Sequence, residues 1–275
     1  MNMENFKFNG YEQLELNAFL WETEIPSAVL LIVHGFGEHA ERYAELAAFL
    51  NSSGIAVMSF DLRGHGRSEG KQGLILDWNE FHKDIDAAVK VLGGKYPSLP
   101  LFLMGHSLGG TMVLEYVLSS EFQPRGIIVS APSLGAPGIS KFLLAISKFL
   151  SFAAPRMIIS TGLNSDAMSR DKKEVEKYLN DPLIHDKASP RLGTELEKVQ
   201  NFIHENSENL TVPMLLVYGS GDTIAPHEPI NRFFNNAGAE DKLLKVFDGA
   251  YHELHNDLVK EEVYKLYTDW LVQRA

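Results

Sequence analysis

Leu101-Phe102-Leu103-Met104-Gly105-His106-Ser107-Leu108-Gly109-Gly110 is the stretch that decides how this chain of 275 residues folds. Its apolar opening reads as a buried strand, and Gly110–Leu118 reads as a helix. Between them stands Gly105-x-Ser107-x-Gly109. A side chain carried on so tight a strand-to-helix turn needs small neighbours, because a Cβ at Gly105 or Gly109 would run into adjacent backbone. Such a turn lifts the Ser107 hydroxyl out of the sheet, and the helix start supplies free N–H groups and the positive end of its dipole. Gly-x-Ser-x-Gly also recurs by chance in loops. The strand before it and the helix after it give it meaning.

Working outward, the same pattern repeats. Ala28–Val33, Ile55–Phe60, Leu101–Met104, Gly126–Val129, Met214–Tyr218 and Leu243–Phe247 are near-continuous apolar runs, as expected of parallel strands covered on both faces. Helical patterns lie between them at Arg42–Leu50, Trp78–Leu92, Gly110–Leu118, Ile230–Asn236 and Asp257–Val272. This alternation predicts an α/β fold. Tyr11–Trp21 alternates polar and apolar residues and reads as an antiparallel edge hairpin. Between Ser130 and Met214 no good strand appears. An apolar helical stripe (Ile139, Phe142, Leu143, Ile146, Phe149, Leu150) is followed by helices near Lys172–Leu179 and Gly193–Phe202. A structureless loop of that length is improbable. We expect a helical cap over residues 132–206, inserted into a core formed by residues 1–131 and 207–275.

Composition removes several functions. The chain carries 25 basic and 36 acidic residues, a net charge of −11, which would repel a phosphate backbone and argues against nucleic-acid binding. It has no cysteine, so thiolate nucleophiles, disulfides and Cys-ligated metals are excluded. No His-Glu-x-x-His, acidic calcium loop, Gly-Lys-Ser/Thr or Gly-x-Gly-x-x-Gly is present, so neither a metal nor a nucleotide is expected. The first residues lack a basic segment leading into an apolar run, and no stretch reaches the ~18 apolar residues of a membrane span. These features favour a cytoplasmic protein.

Open α/β sheets place their sites where strands end. There the chain offers His34-Gly35-Phe36-Gly37-Glu38-His39, Asp61-Leu62-Arg63-Gly64-His65-Gly66-Arg67-Ser68, Ser107, Gly219-Ser220-Gly221-Asp222, and Asp248-Gly249-Ala250-Tyr251-His252. A serine hydroxyl is a poor nucleophile near neutral pH and needs a base oriented by an acid. His252 is the favoured base among ten histidines, with His255 its rival, placed at the start of the last helix. Asp222 is the favoured acid, with Asp248 its competitor. Two backbone donors should face the oxyanion: the N–H of Leu108, directly after Ser107, and that of Phe36 in the glycine loop. Asp61–Ser68 reads as a structural turn, with Arg63 and His65 packed beneath it.

Together these segments resemble the α/β-hydrolase superfamily, and more narrowly its monoacylglycerol lipase and lysophospholipase group. The narrow likeness rests on His34–His39, Arg42-Tyr43, Asp61–Gly70, Gly105–Gly110 and Tyr251-His252-Glu253-Leu254. The resemblance implies a mostly parallel eight-stranded sheet with helices on both faces. It implies Ser107, Asp222 and His252 as nucleophile, acid and base, with Phe36 and Leu108 as the oxyanion hole. It also nominates Glu38 and His106 as contacts for the alcohol part of a substrate. The activity implied is hydrolysis of the carboxylic ester of monoacylglycerols through an acyl-enzyme, without a cofactor. A lysophospholipase or a general carboxylesterase is the alternative, and a non-catalytic ligand-binding protein on the same scaffold is a more distant one.

The cap resembles the group least. From Ile139 to Lys173 it carries Lys141, Lys148, Arg156, Arg170, Lys172 and Lys173 against Asp166 and Asp171 only. A basic, apolar-striped helix on an otherwise acidic protein suits transient contact with an anionic membrane or micelle, or simply covers an acyl pocket. The expected partner is a lipid ester.

Overall fold

Every side chain of Ala28–Val33 is buried, and successive ones enter opposite cores: Val29, Leu31 and Val33 join one cluster, Ala28, Leu30 and Ile32 the other. That is the two-sided burial expected of a central strand in a parallel sheet. The computed structural model describes residues 2–135, 148–162 and 164–275. Its main sheet has eight strands: β1 Asn2–Asn9, β2 Glu15–Glu22, β3 Ala28–Val33, β4 Ile55–Phe60, β5 Leu101–His106, β6 Ile127–Ser130, β9 Met214–Gly219 and β10 Lys242–Phe247. Their spatial order is β1-β2-β4-β3-β5-β6-β9-β10. Only β2 runs against the rest, pairing antiparallel with both β1 and β4. All other pairings are parallel, so the carboxyl ends of β3, β5, β6, β9 and β10 meet on one edge.

Helices α1 Ala44–Asn51, α2 Asn79–Lys95, α3 Leu108–Ser119, α6 His227–Asn236 and α7 Lys260–Val272 surround this sheet. α2, α3 and α6 pack into one core and α1 and α7 into the other. Between β6 and β9 no described residue joins the main sheet. A helical segment at 148–153, α4 Lys172–Asn180 and α5 Pro190–Glu205 occupy this insert. Ser189 caps α5, its hydroxyl accepting the Leu192 N–H, with Pro190 in the first turn. Of the expected apolar stripe, Ile139, Phe142, Leu143 and Ile146 lie outside the described residues; Phe149 and Leu150 fall within 148–153.

Two expectations need correction. The edge hairpin is not contained in Tyr11–Trp21: it pairs Asn2–Asn9 with Glu15–Glu22, and Tyr11–Gln13 form its turn, with Glu12 and Gln13 at φ 58° and 63°. β1 buries only Phe8, so an edge strand so polar shows no apolar period. The insert does hold strand, the antiparallel pair β7 Ile159–Ser160 and β8 Lys187–Ala188. Pairs that short leave no sequence pattern.

The turn after β4 is braced by charge. Asp61 accepts hydrogen bonds from the Ala40 and Arg67 N–H groups and from Asn17 Nδ2. Arg63 grips Asp84 of α2 through Nε and Nη2, at 2.6 and 2.9 Å, and reaches Glu80 through Nη1. The Asp84 side chain is fully buried. Removing a partner from such a pair leaves an uncompensated interior charge, costing about 3–5 kcal/mol. Arg63→Met should lower the urea unfolding free energy by that amount, and Arg63→Met/Asp84→Leu should recover most of it.

Candidate active site

Ser107 sits between β5 and α3 at φ 53° and ψ −117°, a left-handed backbone that L-residues avoid. Close approach of chain to chain forces it. A Cβ on Gly105 would lie 2.2 Å from the Gly109 carbonyl oxygen, and one on Gly109 would lie 2.1 Å from that of Val33. The Ser107 N–H donates to Ser130 O of β6 at 2.9 Å, and its carbonyl accepts from Thr111 and Ser133. The turn is thus pinned on both sides.

The loop after β3 lies against it. A Cβ on Gly35 would stand 3.3 Å from Ser107 Cβ and 3.2 Å from the His106 ring. Gly37 holds φ 77°, and a side chain there would strike the His185 carbonyl oxygen at 2.1 Å. Neither the Phe36 nor the Leu108 N–H meets an acceptor among the described residues. Two donors therefore remain free on either side of the strained serine, as an oxyanion would need.

Asp222 and His252 come from the loops after β9 and β10. His252 Nδ1–H donates to Asp222 Oδ2 at 2.7 Å, with both side chains almost wholly buried. Asp222 Oδ1 accepts the Ile224 and Ala225 N–H groups. Burial alone would push this carboxyl up. The His252 contact and the two backbone donors override it and keep Asp222 below the usual carboxylate range. The His252 ring packs on that of His106, the residue before Ser107, with centroids 4.8 Å apart. Serine, imidazole and carboxylate thus gather at one sheet edge. Asp248 is engaged elsewhere, accepting from Ser220 Oγ.

The family model described as serine aminopeptidase, S33, matches residues 24–259. A monoacylglycerol lipase of Mycolicibacterium smegmatis is 33% identical over 249 residues, covering 90% of this chain and 89% of its own. A phospholipase of Bacillus subtilis is 32% identical over 249 residues, covering 89% of this chain and 95% of its own. Among solved structures, the monoacylglycerol lipase of Paleococcus ferrophilus superposes with a TM-score of 0.85 at 33% identity, covering 100% of both chains. The chain belongs to the monoacylglycerol lipase group of α/β-hydrolases.

Glu38 and His106, which likeness to that group nominates as contacts for the alcohol part, are both enclosed by protein. Glu38 is 2% exposed, and both carboxylate oxygens are committed within the protein. Oε1 accepts from the Gly35 N–H and the Tyr43 hydroxyl, and Oε2 accepts from Arg42. It braces the glycine loop. His106 is likewise 2% exposed, packed between His252 and His255, with Nδ1 3.3 Å from Ser130 Oγ. His255 lies in a short 3-10 turn, Leu254–Asn256, ahead of the last helix, and stacks on Tyr43 with centroids 4.6 Å apart.

Other polar groups also brace the loops around Ser107 and His252. Arg42 pairs with both Glu38 and Glu253, the residue after His252. Burial would push the Glu253 carboxyl up, but Arg42 holds it well below the ordinary carboxylate range. Arg170 grips Asp257 through Nε and Nη2, and Asp257 also accepts the Tyr251 N–H. His39 Nε2 meets Asp181 at 2.9 Å. His34 is fixed as the Nδ1–H tautomer, donating to Gly35 O and accepting the Leu62 N–H on Nε2. No group of His, Asp or Glu side chains among the described residues could hold a metal ion.

Burial pushes His34, His106 and His255 down to about 3. Their folded values lie below that of a free imidazole, so the folded chain binds fewer protons than the unfolded one. The stability involved is complete above about pH 6.5 and is lost as pH falls from there toward 3. His255→Phe keeps a ring against Tyr43 and removes one such group. Unfolding free energies measured from pH 7 to 4.5 should slope less steeply in this variant, by about 1.4 kcal/mol per pH unit once the acid limb is reached.

Proposed function

We propose that the protein hydrolyses monoacylglycerols to a fatty acid and glycerol, with Ser107 as nucleophile, His252 as base and Asp222 as the orienting acid. The observation that carries this reading is the strained Ser107 turn beside the buried His252–Asp222 pair. His252 Nε2 takes the Ser107 proton as Oγ attacks the ester carbonyl, and the oxyanion is held by the Phe36 and Leu108 N–H groups. The imidazolium, steadied by ionised Asp222, then protonates the departing glycerol oxygen as the acyl-enzyme forms. A water deprotonated by His252 releases the fatty acid and restores the serine. Each step needs only protein groups and water.

Residues 132–206 act in this reading as a cap over the site. Supporting it, described parts of the insert touch the reaction loops directly: His185 N–H donates to Gly37 O, and Glu253 N–H donates to Met168 O. The relatives named as a monoacylglycerol lipase and a phospholipase stand at nearly equal identity. A hydrolysis panel of monoacylglycerols, lysophospholipids and short esters at matched chain length separates the substrates. Monoacylglycerols should show the highest kcat/KM, and a preference for lysophospholipids would assign the second reading instead. With p-nitrophenyl esters, Ser107→Ala should abolish the burst, and Asp222→Asn should lower kcat by roughly 10⁴-fold.

Contact with lipid is a further part of the proposal. Among the described residues no helix is long and apolar enough to cross a membrane. Phe149 and Phe152 are nevertheless 66% and 86% exposed, and such rings suit shallow insertion. The basic residues contribute less than their count suggests. Arg170 is spent on Asp257, Lys148 pairs with Glu197, and Lys172 faces Asp166 at 3.6 Å, while Lys141 lies outside the described residues. Phe149→Ser/Phe152→Ser should reduce cosedimentation with phosphatidylcholine vesicles, and anionic lipid should add little.

A further inference from the structure

We propose that Arg42 is a positioning residue that holds the oxyanion loop and the general-base loop in register, touching neither the substrate nor the reacting atoms. The inference rests on the roles proposed above for Phe36, Ser107 and His252. Those roles come from opposite parts of the sheet. The Phe36 loop follows β3 and the His252 loop follows β10, and β5, β6 and β9 stand between them. No ladder hydrogen bond joins β3 to β10 directly, so a contact above the sheet is the shorter link between the two loops.

Arg42 is the link. Its Nη1 donates to Glu38 Oε2 and Glu253 Oε1, both at 2.7 Å, and Nη2 donates to Glu253 Oε2 at 2.6 Å. On one side, Glu38 Oε1 accepts the Gly35 N–H at 2.6 Å, one residue before Phe36. On the other, Glu253 directly follows His252, accepts from Asn256 Nδ2, and is held by its own N–H to Met168 O. The chain of contacts from the Gly35 amide to the His252 backbone is unbroken. Tyr178 of α4 covers the guanidinium, whose carbon lies 5.0 Å from the ring centroid.

The chemistry favours register over stability as the purpose. A buried ion cluster adds little net stability over apolar groups of the same volume. A planar guanidinium with bidentate geometry, however, fixes distance and direction in a way an ammonium cannot. The Arg42 side chain is 10% exposed, and the paired Glu38 and Glu253 side chains 3% and 4%, so solvent does little to loosen them.

The test compares Arg42→Met, Arg42→Lys and Arg42→Met/Glu38→Gln/Glu253→Gln with the wild type. The substrates are a p-nitrophenyl ester, which has no glycerol, and a monoacylglycerol; thermal midpoints are recorded in parallel. The triple variant removes the stranded charges along with the link, so it retains a folded reference if Arg42→Met unfolds. The proposal expects kcat on both esters to fall about 10²-fold in Arg42→Met or the triple variant, with KM within about threefold. It expects an alkylboronic acid, which forms a tetrahedral adduct on serine, to lose affinity by a similar factor. Arg42→Lys should recover part of both losses. Folded variants with kcat within about threefold of wild type would overturn the proposal, as would a loss confined to KM for the glycerol ester. Ser107→Ala in the same assay tests the underlying site separately: turnover that survives it sinks the site, whatever Arg42 does.

Discussion

A serine at φ 53° is the constraint on which the rest of the site depends. Backbone in that region costs on the order of 1–3 kcal/mol and persists only where its surroundings leave no alternative. Here the surroundings are backbone atoms. Gly105 and Gly109 let β5, α3 and the end of β3 approach until no Cβ fits between them. Relaxing Ser107 would mean separating a central strand from the helix that follows it, against two cores that bury nearly every residue of both. The strain is therefore held by the hydrophobic packing of the whole sheet, and the helix start that results leaves its first amide free beside the hydroxyl.

Around this turn the polar groups are sorted by protonation state. Asp222 and Glu253 are held ionised by specific partners, while His34 and His255 are kept neutral by burial. The ring packed directly on His252 is that of His106, likewise kept neutral by burial. The negative charges that steady the site stand behind it, on the far side of Nδ1 and beyond the next peptide. Reaction geometry and interior electrostatics thus share one set of contacts, and a change meant to alter one will move the other.

How much of this was legible in the sequence follows from what each residue touches. β3 and β4 have the bounds expected of them because both faces are buried, so the apolar run and the strand coincide. β1 was illegible for the opposite reason: it buries only Phe8, with Phe6 partly buried beside it, and its other residues are exposed. Ser107, Asp222 and His252 each follow a strand, and the Gly105-x-Ser107-x-Gly109 turn singled out the first of them. The contacts that organise them left no such trace. Arg42 and Glu253 are 211 residues apart, and no local pattern couples them. Likeness places Glu38 near the site, and only the fold shows that it also bonds Gly35, Arg42 and Tyr43.

Attachment of the insert has a consequence for traffic through the enzyme. The segment from Met168 to Arg170 is bonded to the loop carrying His252, and the stretch around His185 and Ser189 is bonded to Gly37 and Gly73. Moving that half outward would either break these hydrogen bonds or pull on the loops that carry His252 and Gly37. Exchange of lipid and fatty acid that leaves these fastenings intact also leaves the His252–Asp222 pair in place.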